Sequence, residues 1–166
     1  MIFAIYRNIY SYMKMDSRLS GVLHVLLHMA EFRNPVTSEV LAKMMGTNPV
    51  VIRRIMAGLR QQGYVHSEKG HGGGWTLACD LSRITLRDIY HALGNPSLLA
   101  MGNRNDNPAC LVEQSVNEAL GQAFEQAETF LLDRFGEVAL ATLSADFHRR
   151  VINRGVTYDL ETVHDS

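Results

Sequence analysis

The apolar positions between residues 16 and 31 fall at Leu19, Val22, Leu23, Leu26 and Ala30, a recurrence that lines one face of an α-helix. Asp16 or Ser17 stands where a cap belongs, and Asn34-Pro35 ends the run. A shorter set, Val40, Leu41 and Met44, follows Thr37, whose hydroxyl can cap a second helix with Glu39 in its first turn; Gly46 makes the turn beyond it. Asn48-Pro49 opens a third helix, because asparagine caps free amides and proline at the first helical position gives up an amide that had no partner. Its inner stripe is Ile52, Ile55, Met56 and Leu59. Its outer face carries Arg53, Arg54 and Arg60, and Gly63 sits where a left-handed terminal residue belongs.

Beyond residue 63 the period shortens to two. "YVHSEK" and "WTLAC" read as short strands joined by a glycine stretch, and Cys79 falls in phase with Trp75 and Leu77, which points it inward as a quiet core residue. Thr85 opens a helix with the inner stripe Leu86, Ile89, Tyr90 and Leu93, closed by Gly94. Residues 95–106 read as loop. Asn107-Pro108 repeats the Asn-Pro opening and starts the longest helix, running to about Arg134. Val116, Leu120, Ala123, Ala127 and Phe130 along it form a heptad seam, which predicts pairing with a twin helix in a symmetric dimer. A last helix spans about Glu137 to Arg150.

Three helices around a tight turn, the third studded with arginine, followed by a two-stranded hairpin, is the order of a winged helix-turn-helix. The expected fold is therefore mainly α, an α+β winged helix-turn-helix at 15–94, with a loop at 95–106 and a long C-terminal dimerisation helix within 107–150. A flexible tail is expected at 151–166. Residues 1–14 read as an N-terminal stub or arm, too short in its apolar part to span a bilayer.

Composition sharpens this picture at three points. The net charge of -1 hides a split. Residues 1–75 carry nine Lys/Arg against four Asp/Glu, whereas residues 76–166 carry seven against thirteen, so a basic front half is joined to an acidic back half. That suits one face meeting a polyanion and another meeting its own kind. Two cysteines, Cys79 and Cys110, are too few for a disulfide framework and, with no leader or membrane span recognisable, point to a cytoplasmic protein.

"GHGGGWTLACD" at 70–80 admits three readings: an esterase oxyanion loop, a phosphate cradle or a hairpin tip. No Gly-x-Ser-x-Gly elbow accompanies it, and neither Gly-rich nucleotide motif occurs, so the glycines read as turn residues and an enzyme is not expected. The candidate DNA contacts are Ser38, Thr47, Asn48, Arg53, Arg54 and Arg60 on the helices and Lys69, His71 and Gly73 on the wing, with the amides at the start of helix three turned to phosphate or base edges. His24 and His28 stand four apart, a spacing that can serve a metal; with no third ligand evident nearby they read as packing or surface histidines, and no metal is expected. Cys110 falls in the first turn of the long helix, where the dipole favours a thiolate, so it reads equally as a reactive sensor or as a small residue filling the helix start.

The stretch "LAKMMGTNPVVIRRIMAGLRQQGYVHSEKGHGGGWTLACDLSRITLRDIYHAL" resembles the Rrf-two family of bacterial winged-helix repressors, over about Met15 to Leu143. Its most specific part is the wing Gly70, Gly73, Gly74, aromatic, Leu77, followed by "ITLRDI"; "TNPVVIRR" and "NDNPACLVEQ" are most similar to the cluster-free, YwnA-like branch. The resemblance implies a homodimer through the long helix that represses at inverted repeats in double-stranded DNA. Cluster-binding members hold iron and sulfur with three cysteines between the wing helix and the long helix; here only Cys110 matches, so no iron-sulfur cofactor is expected. The expected signal is then an oxidant or electrophile at Cys110, or a small molecule. Two alternatives stay open, a cluster sensor with non-cysteine ligands and a regulatory module docking on a metabolic enzyme.

Overall fold

The computed structural model describes residues 16–99, 103 and 105–155. The expected N-terminal arm at 1–14, and residues 156–166 of the expected tail, lie outside the described residues. The elements are α1 (Arg18–Glu31), α2 (Ser38–Met45), α3 (Pro49–Gln61), β1 (Val65–Glu68), β2 (Gly74–Leu77), a 3₁₀ turn (Leu81–Arg83), α4 (Leu86–Ala92), α5 (Leu111–Glu137) and α6 (Leu140–Arg154). Helices dominate, with one small antiparallel sheet, and the first six of these elements form a winged helix-turn-helix.

Local chemistry sets most boundaries. Thr37 Oγ1 accepts from the Val40 amide at 3.3 Å, Asn48 Oδ1 from the Val50 amide at 2.7 Å, and Thr85 with Asp88 forms a reciprocal capping box. At α1 Ser17 holds the cap position but its side chain makes no cap bond; the carboxylate of Asp16, one residue earlier, accepts from the Arg18 amide at 2.9 Å instead. α2 and α3 end alike. Gly46 and Gly63 take φ of 59° and 77°, and each lets two amides turn back: Thr47 to the Ala42 carbonyl at 2.9 Å, Tyr64 to that of Leu59 at 3.0 Å.

These caps hold the helices around one core. Val22, Val25 and Leu26 of α1 meet Leu41 of α2, Ile52, Met56 and Leu59 of α3, Val65 of β1 and Ile89 of α4. The α1 stripe is rotated from its expected centre: Val25 and Met29 go deep, and Leu19 and Leu23 pack at the rim. On α2, Val40 is exposed and Ser38 takes the inward place instead. A buried hydroxyl needs a partner, and Ser38 Oγ has one, the Trp75 indole N–H at 3.0 Å.

The wing pairs Val65 with Leu77 through to Glu68 with Gly74. A third, one-residue strand joins its edge: Val36 and Trp75 exchange amide-carbonyl bonds of 3.0 and 2.8 Å. Val36 is β-branched and follows Pro35, the only sequence signal for it. Cys79 lies just past β2, half-buried against the core, and its thiol donates to the Tyr64 carbonyl at 3.2 Å.

The C-terminal half departs from expectation at both ends. α5 starts at Leu111 rather than at Asn107, with Cys110 as its N-terminal flank. Residues 105–110 are held irregular by the helix itself: Gln114 Nε2 donates to the Pro108 carbonyl at 3.0 Å, Asn117 Nδ2 to that of Asn105 at 2.6 Å, and Asn105 Oδ1 holds the Asn107 amide at 3.1 Å. α6 runs to Arg154, so four residues assigned to the tail are helical, and Gly155 closes it with φ of 61°. The expected 107–150 pair is thus 111–154.

Among the described residues, the last turns of α5 dock on the head. Phe135 meets the Tyr90 ring edge-on at 6.5 Å, Arg87 and Asp133 stand 3.7 Å apart, and a Cβ on Gly136 would sit 2.7 Å from the Arg87 guanidinium. The chain then returns. Leu86 N–H bonds the Val138 carbonyl at 3.0 Å, Leu140 N–H that of Ile84 at 2.9 Å, and the Leu140 side chain is fully buried in the head core.

Candidate nucleic-acid interface

α2, the Gly46 turn, α3 and the wing share one face. The helical repeat turns Ile52, Met56 and Leu59 inward and leaves Val50, Val51, Arg53, Arg54 and Arg60 exposed. Arg53 reaches across to α2, its Nη2 donating to Glu39 Oε1 at 2.7 Å. Arg60 leans the other way and donates to Ser67 Oγ on β1 at 3.1 Å, tying α3 to the wing. Arg54 makes no hydrogen bond or ion pair with any described residue. Between α2, α3 and the wing lies an open groove of about 340 Å³, edged by Glu39, Arg53, Glu68, Gly70 and Gly73 among others.

Not every candidate contact stands at this surface. Ser38 is buried, and its hydroxyl is held by Trp75, so it supports the wing from below and is not a surface contact. Asn48 is exposed, but its side-chain oxygen is taken by the Val50 amide. The first amides of α3 are not open either: Pro49 has none, and those of Val51 and Ile52 bond the Asn48 carbonyl at 3.0 and 3.3 Å. What remains there is the positive end of the helix dipole. Thr47 is half-buried in the turn, and Lys69 and His71 are exposed at the wing tip.

The wing glycines divide into two kinds. Gly70 and Gly72 have φ of 98° and 81°, which a side chain resists, and they turn the chain. Gly73 and Gly74 are constrained by space: a Cβ on Gly73 would lie 2.4 Å from the Glu68 carbonyl oxygen and one on Gly74 2.6 Å from that of Val36. Gly73 thus closes the hairpin at the edge of the groove. Val50 and Val51 are the surface residues that the charge-led reading missed; Val50 is 61% exposed, and two bare valines at the start of a helix were the available signal.

Cys110 is exposed at the mouth of α5. Its thiol makes no cap hydrogen bond of ordinary geometry, yet the free amides of Glu113 and then Val112 hold its pKa below the usual cysteine value. Cys79 is shifted the opposite way, because burial penalises its thiolate. His24 and His28 place their Nε2 atoms 2.8 Å apart on α1, beside Glu31 and Phe147 of α6. His148 Nε2 lies 3.2 Å from Glu31 Oε2, but among the described residues no three such side chains converge as a metal ion requires.

The α5 surface is of a different kind. None of its 27 residues is buried, and Val116, Leu120, Ala123, Ala127 and Phe130 all face outward. Leu111 and Val112 extend that apolar line at 76% and 73% exposure.

Comparison with known proteins agrees with this architecture. Residues 15–146 match the family model Rrf2, described as iron-dependent transcriptional regulator. The chain is 31% identical over 113 residues to YwnA of Bacillus subtilis (strain 168), named as an HTH-type transcriptional regulator, covering 68% of this chain and 84% of the relative. It is 28% identical over 159 residues to YwgB of the same organism, also named as an HTH-type transcriptional regulator, covering 92% and 94%. Among solved structures, a transcriptional regulator from Lactobacillus plantarum superposes with a TM-score of 0.66 at 25% identity, covering 82% of this chain and 93% of that one.

Proposed function

Because the chain belongs to the Rrf2 family of DNA-binding transcriptional regulators, we propose that it works as a homodimeric repressor that releases its operator when Cys110 is modified. The observation that carries the DNA half is the juxtaposition of α3, with Arg53 and Arg54 exposed, and a wing whose Lys69 and His71 stand clear of the fold. A helix of this width enters the major groove, arginine can bond guanine O6 and N7, and wing cations suit the neighbouring backbone. Val50 and Val51 add apolar contact of the kind a thymine methyl offers.

The dimer half rests on α5. An apolar line along 27 residues, none of them buried, would be left against water in a single copy and is covered by a second copy with its two-fold related seam. Two heads then face two half-sites, which is why an inverted repeat is the expected operator. The sensor half rests on Cys110. Its thiolate attacks a peroxide, the O–O bond breaks, and a sulfenic acid forms on sulfur while hydroxide leaves.

The residues present do not fit a thiolate-held iron-sulfur cluster. Cys110 is the one thiol between residues 95 and 110, and that of Cys79 is directed to the Tyr64 carbonyl. Clusters are held by several thiolates.

A mobility-shift series tests the DNA assignment. Arg53→Ala should lose about 1–3 kcal/mol of specific affinity, and unchanged affinity for the operator would remove Arg53 from the interface.

A further inference from the structure

The DNA-reading face contains a carboxylate that a purely phosphate-seeking surface would not carry. Glu39 stands on α2 with its Oε1 2.7 Å from Arg53 Nη2, both side chains more than half exposed. A second acid, Glu68, edges the same groove. Acids placed there repel phosphate, so the groove is poor in the unspecific attraction that arginines otherwise supply. We infer that Glu39 is a specificity-determining residue, which positions Arg53 for a guanine edge and withholds it from the DNA backbone. The inference rests on the DNA reading given above.

The donor arithmetic allows it. A guanidinium carries five N–H groups, and a bidentate bond to guanine O6 and N7 uses two. The bond to Glu39 engages one, so four remain for other acceptors. Unheld, an arginine of this length samples many rotamers and takes the nearest phosphate. Held by a carboxylate, it is close to neutral as a pair and gains little from a phosphate, while the directional bonds to a base survive. Arg54, next on the same helix, has no such acid among the described residues. The two arginines thus separate by environment: Arg54 serves affinity and Arg53 serves discrimination.

The experiment compares the wild-type chain with Glu39→Gln, a substitution at an exposed position that keeps the side-chain shape. Duplexes are first selected from a random pool with each protein; binding to the enriched operator and to a scrambled duplex is then measured across a salt series. The Glu39→Gln variant should bind the scrambled duplex a few-fold more tightly, with a salt slope about one phosphate contact steeper. Its ratio of operator to scrambled affinity should fall by about 10-fold, and a guanine in the wild-type half-site should become degenerate, the same position that Arg53→Ala relaxes. Equal tightening on both duplexes, with the motif unchanged, would show a plain repelling acid and overturn the inference while leaving the DNA reading intact. So would a variant motif altered at a position insensitive to Arg53. A wild-type chain that enriches no motif overturns the DNA reading itself, and this inference with it.

Discussion

The head and the long helix solve opposite problems. In the head, side chains from five helices and the wing exclude water from one core, and its polar exceptions, Ser38 and His28, are each hydrogen-bonded. α5 is longer than any other element and buries nothing completely. The head closes a core of its own, whereas α5 leaves an apolar line exposed. If a second copy covers that line, as proposed, part of the folding free energy lies in association and stability depends on concentration.

The sharpest way to break this contrast is to charge the bare seam. The double variant Leu120→Asp/Phe130→Asp should dissociate the dimer, halving the mass in light scattering, and lower operator affinity on the order of 100-fold or more, since two linked half-sites bind far better than one. A double variant that keeps the mass and affinity of the parent would return α5 to being an ordinary solvated helix. The converse substitution lies in the head. Leu59→Ala removes a fully buried side chain and should cost about 2–5 kcal/mol in urea unfolding while leaving the assembly dimeric at working concentration; a loss below about 1 kcal/mol would mean that the core is looser than its burial implies.

The smallest effect separates the two thiols, one from each region. Cys110 has its pKa lowered by helix amides and Cys79 has its pKa raised by burial. As pH rises, the thiolate of Cys110 therefore appears first, and alkylation by iodoacetamide followed by mass spectrometry should label Cys110 at neutral pH and Cys79 only in more alkaline solution or after unfolding. Cys110→Ser should keep operator binding and abolish its response to peroxide. A serine variant that still responds would clear Cys110 of sensing.

How much was legible follows the range of the interaction. Caps and turns are local, so Thr37, Gly46, Asn48, Gly63 and Thr85 read correctly from neighbours alone. Asn107-Pro108 carries the same local signal as Asn48-Pro49 and yet caps nothing, because Gln114 and Asn117 pull the chain before α5 into an irregular turn. No pattern confined to residues 107–108 contains that competition. Ser38 turns inward for a similarly distant reason: its partner, Trp75, is 37 residues away. The arginines of α3 were legible as charge, but the acid that holds Arg53 comes from 14 residues earlier across the turn. Val50 and Val51 are exposed on a face where an apolar pattern by itself predicts core.

Leu140 shows where the molecule can be cut. By chain order the head ends at Ala92, and a gene truncated in the following loop would look like a clean isolation of the DNA-reading unit. That fragment would lack a fully buried leucine and the backbone bonds of residues 138–140 to Ile84 and Leu86. Its core would carry an open socket on the side facing α6. A head suited to transplantation therefore needs two discontinuous pieces, residues 16–94 and the α6 segment, joined by a short artificial linker in place of the long helix; the exposed seam would be removed and the head core kept whole.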